Sequence, residues 1–180
     1  MARRLARSLW CASACWCAAL AYAAASPPPR LEQADLARPE RVAAWLKANA
    51  TSADTKTAQM FFQHGEKAAK RGDWGAAAKA FGEGAIHHPT PRHMEAYAAA
   101  RLKMLGDLRR RDKNLVQNKA QDLGEALALY RSAVSADDAL RALAATDKAA
   151  LNGKVQCLEA SHKAGKAVEG CEPARRYFSP

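Results

Sequence analysis

Apolar residues recur every three or four positions along most of this chain, which is the period of an α-helix with one buried face. A clear case is the segment between Asp54 and Arg71, whose small and apolar residues share a face: Ala58, Phe61, Phe62, Gly65, Ala68 and Ala69. Composition favours the same structure, since alanine makes up about a quarter of the chain, whereas valine and isoleucine together number six. Strands prefer those β-branched residues. The sequence therefore predicts an all-α fold.

The first 25 residues have the order of features that is typical of a secretory signal peptide. Three arginines, Arg3, Arg4 and Arg7, precede an uncharged stretch that runs to Ala25 and ends in small residues. We expect cleavage after Ala23 or Ala25 and export of the mature protein, which would then be periplasmic or secreted. The alternative is an uncleaved membrane anchor, because about 18 uncharged residues approach the length of a transmembrane helix.

Removal of the signal peptide changes both the charge and the set of cysteines. The formal net charge falls from +10 to +7, because residues 1–25 contain three arginines and no acid. Cys11, Cys15 and Cys17 leave with the signal, whereas Cys157 and Cys171 remain. In an oxidising compartment we expect this pair to form a disulfide. A reactive dithiol is the less favoured interpretation, because the spacing is far from that of a Cys-x-x-Cys motif.

The mature chain of about 155 residues is expected to form one domain. Residues 26–38 contain three consecutive prolines and are predicted to be an extended linker. Residues 39–171 are predicted to form the helical domain, and residues 172–180 a flexible C-terminal tail. The first helix is predicted to begin near Pro39, the second to run from Asp54 to about Arg71, and the third from Trp74 to His87. A fourth begins near Pro91, with a break at Gly106-Asp107, and a fifth runs from Leu115 to Ser135. Possible caps at Asp137-Asp138 and Thr146-Asp147 predict further helices after these positions.

Between residues 61 and 89 the small and aromatic residues occupy positions with a packing role. Gly65 and Ala77 are small where two antiparallel helices are expected to cross. Trp74 and Phe81 are large enough to fill the space between those helices, and Pro89 begins the turn to the next unit. The segment therefore predicts a pair of closely packed antiparallel helices.

This pattern resembles one tetratricopeptide repeat, over about residues 58–91. The sequence departs from the family at His64, where the family usually has leucine, and at Ala68, where it usually has a large aromatic residue. A second, interrupted repeat covers about residues 92–137, and residues 109–113 are the obvious insertion. The resemblance implies a short α-α superhelix, with the helices that contain Trp45 and Cys157 as caps at its ends.

The resemblance also implies a function, which is to hold a peptide or a helix of another protein on the concave face formed by the first helix of each unit. We therefore expect an exported scaffold or adaptor that mediates protein–protein interaction in the cell envelope. A clamp for a C-terminal carboxylate is not expected, because Phe62 and Glu66 occupy two of the positions that such a clamp needs. The implied groove is lined by Gln59, Phe62, Glu66, Ala69, Lys70, His93, Ala96, Ala100, Lys103 and Met104.

A basic segment suggests a different function, namely association with an anionic envelope surface such as phospholipid or cell-wall polymer. The residues that would make this contact are Arg109, Arg110, Arg111 and Lys113. A solvated helix face is the simpler interpretation of such a charge run. Export argues against nucleic acid as the partner.

The sequence does not predict an enzyme. Four histidines fall within one region, His64, His87, His88 and His93, but adjacent histidines on a helix point in different directions, and no carboxylate follows at ligand spacing. Neighbouring acids occur without a nucleophile or an oxyanion donor beside them. We therefore predict no catalytic residues, no metal site and no cofactor.

Overall fold

A computed structural model of the 180-residue chain describes residues 27–112 and 118–178. Within these two ranges the chain forms seven α-helices and no strand, which confirms the predicted all-α fold. The helices are α1 (Pro39–Asn49), α2 (Thr55–Lys70), α3 (Trp74–His87), α4 (Pro91–Arg111), α5 (Lys119–Leu140), α6 (Ala145–Ala164) and α7 (Glu172–Phe178). The predicted signal peptide, residues 1–25, lies outside the described residues.

Side-chain caps determine where several helices begin. The carboxylates of Asp54 and Asp73 each accept a hydrogen bond, at 3.0 Å, from the backbone N–H three residues further on, and the hydroxyl of Thr90 does the same at 3.2 Å. These oxygens satisfy N–H groups that have no partner inside the first helical turn. As a result, α2 and α3 begin and end within a residue or so of the predicted positions.

The helices α2 to α6 pack against one another in sequence order. Near the end of α2, Gly65 lies against Phe81 of α3, and near its start Phe61 approaches Gly84, so the two helices are antiparallel. The rings of Phe62 and Phe81 are 5.2 Å apart and fill the space between the helices. Phe81 therefore has the packing role that the sequence predicts for it.

The N-terminal segment differs from the predicted linker and cap. Residues 27–38 are not simply extended: they include a short 3-10 helix, Gln33–Asp35, and both Leu31 and Leu36 are buried. The backbone N–H of Leu31 donates to the carbonyl oxygen of Ile86 at 3.0 Å. The chain thus crosses the end of α3 before α1 packs against α5, the fourth helix after it in the sequence.

The helix α4 continues through the predicted break at Gly106-Asp107 because this glycine has a tertiary role. A Cβ atom at Gly106 would lie only 2.8 Å from the carbonyl oxygen of Arg176 in α7. Glycine therefore allows the backbones of α4 and α7 to approach closely, and it does not end the helix.

The predicted cap at Asp137-Asp138 is wrong, because both residues lie inside α5. The carboxylate of Asp137 instead accepts from the backbone N–H of Leu143 at 2.9 Å and lies 3.2 Å from the amine of Lys148. The helix ends at Leu140, and the next residue, Arg141, has a left-handed φ of 51°. Asp137 thus stabilises the turn between α5 and α6 from the end of one helix, not the start of the next.

The C-terminal segment also differs from the prediction, since residues 172–178 form α7 and not a flexible tail. Tyr177 is completely buried, and its hydroxyl donates to the carboxylate of Asp122 in α5 at 2.7 Å. α7 packs on both α4 and α6. Burial of an aromatic ring with a satisfied hydroxyl is enough to order so short a segment against the core.

Candidate protein-binding face

The predicted groove residues of α2 and α4 meet at the start of α4. The ring of Phe62 lies 5.1 Å from that of His93, and the guanidinium of Arg92 lies over Phe62 at 4.5 Å. Arg92 also forms an ion pair with Glu66 at 3.3 Å. These contacts join α2 and α4 into one continuous face, which we call the α2–α4 face.

The predicted residues play different parts on this face. Phe62 and His93 are only 4% and 6% exposed, and Ala100 is also buried, so these three support the surface from below. Gln59 and Lys70 are exposed on α2. The remaining half-buried members of the α2–α4 face are Glu66, Ala69, Ala96 and Lys103.

Lys103 and Met104 are adjacent in sequence but point to different surroundings. The Lys103 amine lies 3.9 Å from the centre of the Trp74 ring, a cation–π contact at the edge of the face. Burial, together with nearby Arg176, lowers the pKa of Lys103. Met104 instead lines cavities between α3 and α4. It is therefore not part of the α2–α4 face, although the resemblance implies that it is.

The four histidines pack against rings and backbone. His87 stacks on Phe61 with ring centres 5.8 Å apart, and the Nδ1 atom of His93 lies 2.7 Å from the carbonyl oxygen of His88. Burial lowers the pKa of His87, His88 and His93, which favours their neutral forms. Within residues 27–112 and 118–178, no three histidine, cysteine or acidic side chains lie close enough together to hold a metal ion.

The arginines predicted to contact an anionic surface do not share one direction. They lie in the last turn of α4, where successive residues are about 100° apart. Arg109 is half-buried with its Nη1 atom enclosed, Arg110 forms an ion pair with Asp107, and Arg111 is exposed. Lys113 lies outside the described residues.

The disulfide predicted between Cys157 and Cys171 is present, with the two Cα atoms 5.3 Å apart. It joins α6 to the residue that precedes α7. A disulfide of this kind is consistent with an oxidising compartment. Among the helices in the described parts of the chain, none has the combined length and hydrophobicity that a membrane span requires.

Sequence reasoning missed a second group of residues on α4. Tyr97, Arg101 and Leu108 lie four and seven positions apart and so share a face, and Met104 is on that face as well. Gln33 reaches the same place and donates from its Nε2 to the hydroxyl of Tyr97 at 3.2 Å. The spacing is visible in the sequence, but the contact between the N-terminal segment and α4 is not.

Taken together, the described residues form an all-α domain whose helices α2 to α6 pack in sequence order, with one face shared by α2 and α4. No family model matches the chain, and no significant match was found among curated proteins or solved structures. The functional argument therefore depends on this chain's own residues.

Proposed function

We propose that this protein is an exported adaptor, similar to tetratricopeptide-repeat proteins, that binds another protein or peptide on the α2–α4 face. The observation that carries the proposal is the junction of Phe62, Glu66 and Arg92, which connects the first helices of two successive units. In a stack of helix pairs, this is the surface that a partner segment can follow from one unit to the next.

The chemistry of the α2–α4 face suits a polar peptide with small apolar side chains. Gln59 and Lys70 offer exposed hydrogen-bonding and charged groups, while Ala69 and Ala96 leave room for a partner backbone to approach. The buried pair Phe62 and His93 holds this surface in place, because packed side chains beneath a site limit its movement.

A position-specific photocrosslinking experiment tests the proposed face. A photoreactive residue is placed at Gln59 or Lys70 in the full-length protein, and His64 serves as the matched control because it is exposed and lies about 120–140° around α2 from both positions. We expect discrete adducts with one partner from positions 59 and 70 but not from position 64. Equal adducts from all three positions would show that the face has no selectivity.

Export is tested separately by sequencing the N-terminus of protein recovered from the periplasm or the medium. Cleavage after Ala23 or Ala25 gives a mature chain that begins at Ala24 or at Ser26. An intact Met1 in a membrane fraction would contradict this part of the proposal and favour an uncleaved anchor.

Association with an anionic envelope surface is the alternative function, and the placement of its residues supports it less well. One arginine is half-buried and another is paired with an acid, so the three side chains offer little continuous positive surface. Replacement of Arg109, Arg110 and Arg111 by serine tests it in a vesicle sedimentation assay. A large, salt-sensitive loss of binding to anionic vesicles would favour this alternative.

A further inference from the structure

A furrow with cationic edges runs between the N-terminal half of α3 and residues 97–111 of α4. Two adjoining cavities, of about 510 and 210 Å³, share Gly75 and Met104 in their walls. At one end the furrow reaches Leu108, and at the other it reaches Tyr97. It is distinct from the α2–α4 face, because none of the residues that line the two cavities belongs to that face.

The floor of the furrow includes an exposed large apolar side chain, Leu108. Leu108 is 43% exposed, and Met60 is the only other large hydrophobic residue so exposed among the described residues. Met104 and the small residues Gly75 and Ala78 continue this apolar strip towards Tyr97. An apolar strip with a polar rim is the usual appearance of an interaction site.

The edges of the furrow carry cations that have no acidic partner in the described parts of the chain. Arg71, Lys79 and Arg111 line the cavities and make no ion pair with any described residue. Of the two acids in the cavity walls, only Asp107 is paired with a described cation, so these three unpaired cations face the single remaining carboxylate of Asp73. Asp73 accepts from the backbone N–H of Ala76 at 3.0 Å, and Asp107 pairs with Arg110. The open positive charge therefore remains available to a ligand.

The end of the furrow at Tyr97 offers a hydrogen-bond donor. The hydroxyl oxygen of Tyr97 accepts from Gln33 at 3.2 Å and from Arg101 at 3.4 Å. Because both contacts use the oxygen as acceptor, the hydroxyl hydrogen can donate to a carbonyl or carboxylate of a bound segment.

We propose that this furrow binds a short acidic, partly apolar segment of another protein in an extended conformation, its carboxylates pairing with Arg71, Lys79 and Arg111 and its apolar side chains contacting Met104 and Leu108. The length is suitable: the helix from Tyr97 to Leu108 rises about 16 Å, which about five extended residues can follow. Charge complementarity selects this occupant over a basic or purely apolar one.

The probe for this proposal is a fluorescein-labelled peptide of about eight residues in which glutamate and leucine alternate, titrated with the full mature protein by fluorescence anisotropy. Alternation places the leucines on one face of an extended chain. Peptides of alternating lysine and leucine, and of alternating glutamate and serine, are the controls. We expect binding of the glutamate–leucine peptide only, and binding that weakens as salt is raised.

Variants locate the site. The double variant R71E/R111E should bind the glutamate–leucine peptide about tenfold more weakly, and L108S about fivefold more weakly. The matched control R41E/K67E makes the same change of net charge at exposed cations on α1 and α2, outside the furrow, and should bind as the unmodified protein does. All of these replacements are at exposed positions, and thermal melting verifies that each variant folds.

Two results would overturn the proposal. One is an equal loss of affinity in R71E/R111E and R41E/K67E, which would mean that only net charge matters. The other is equal binding of the glutamate–serine peptide, which would mean that the apolar floor plays no part. Neither result bears on the α2–α4 face, because crosslinks from position 59 arise on α2 and not at a residue that lines the furrow, so the two proposals can fail separately.

Discussion

Replacement of Gly65 by alanine is the most direct test of how closely α2 and α3 cross. A Cβ atom at Gly65 would lie 2.5 Å from Cδ1 and 2.6 Å from Cε1 of the Phe81 ring, and 2.9 Å from its Cγ. Favourable carbon–carbon contacts are about 3.5–4.0 Å, so the ring must move by about 1 Å. It has little room, because Phe81 is 5% exposed and packs against Phe62 at 5.2 Å.

Two opposing effects determine the size of the change in stability. Alanine in place of glycine within a helix stabilises by about 0.5–1 kcal/mol through backbone entropy. Forcing an extra methyl group into a packed core costs about 1–3 kcal/mol, and the three short distances at Gly65 place it in the upper part of that range. We therefore expect a net loss of about 1–2 kcal/mol, which lowers the melting temperature by about 2–8 °C for a domain of this size.

The measurement is thermal and urea unfolding of G65A beside a matched control. Gly153 lies in the exposed part of α6, where no atom comes within 4 Å of the position that a methyl group would occupy, so G153A should be stabilised by about 0.5–1 kcal/mol. F81L should cost less stability in G65A than in the unmodified protein, because in G65A the smaller side chain also relieves the clash with the new methyl group. If G65A were as stable as G153A, the close crossing at Gly65 would be incorrect.

Three further predictions concern the C-terminal part of the chain. Reduction of the disulfide between Cys157 and Cys171 should lower the free energy of unfolding by roughly 3 kcal/mol. The melting temperature should therefore be lower in dithiothreitol than in its absence. An unchanged melting temperature would contradict a stabilising role for the disulfide. The variant G106A should be destabilised by about 1–3 kcal/mol, because the new methyl group would clash with the backbone of α7, which cannot move aside as a flexible side chain can. Limited proteolysis should then cleave α7 more readily. Resistance to proteolysis equal to that of the unmodified protein would argue against the close approach. Burial raises the pKa of Tyr177 above its ordinary value near 10, so its contribution to stability is fully present below about pH 10 and is lost as the pH rises further. In Y177F the loss of stability above about pH 10 should accordingly be smaller, as followed by circular dichroism, and an identical pH profile would refute this assignment.

Local patterns in the sequence were sufficient for the helices whose ends are set by neighbouring residues. Asp54 and Asp73 accept hydrogen bonds from amides three residues later, and this chemistry needs no distant partner. The disulfide between Cys157 and Cys171 was predictable for a similar reason, because they are the two cysteines that remain after the predicted signal peptide. The groove residues, in contrast, follow from the resemblance to a tetratricopeptide repeat and not from local spacing, and their role in binding stays a prediction.

The errors share a physical cause, which is that glycine, acids and short apolar segments have different roles in different tertiary surroundings. Gly106 is a helix-breaking residue by propensity, but in the fold it permits α7 to approach α4. Asp137 has the chemistry of an N-terminal cap, but it accepts from Leu143 at the end of α5. The furrow could not be predicted, because it exists only where α3 lies beside α4.

The sequence by itself determined that the described chain is helical, where α2 and α3 begin and end, and which cysteines pair, because each of these depends on spacing, capping or composition. Tertiary structure alone decided that α1 packs on α5, that residues 172–178 form a buried helix, and that cations without an acidic partner among the described residues gather along the furrow. These features depend on which distant surfaces can bury apolar area together, and no local pattern specifies that choice.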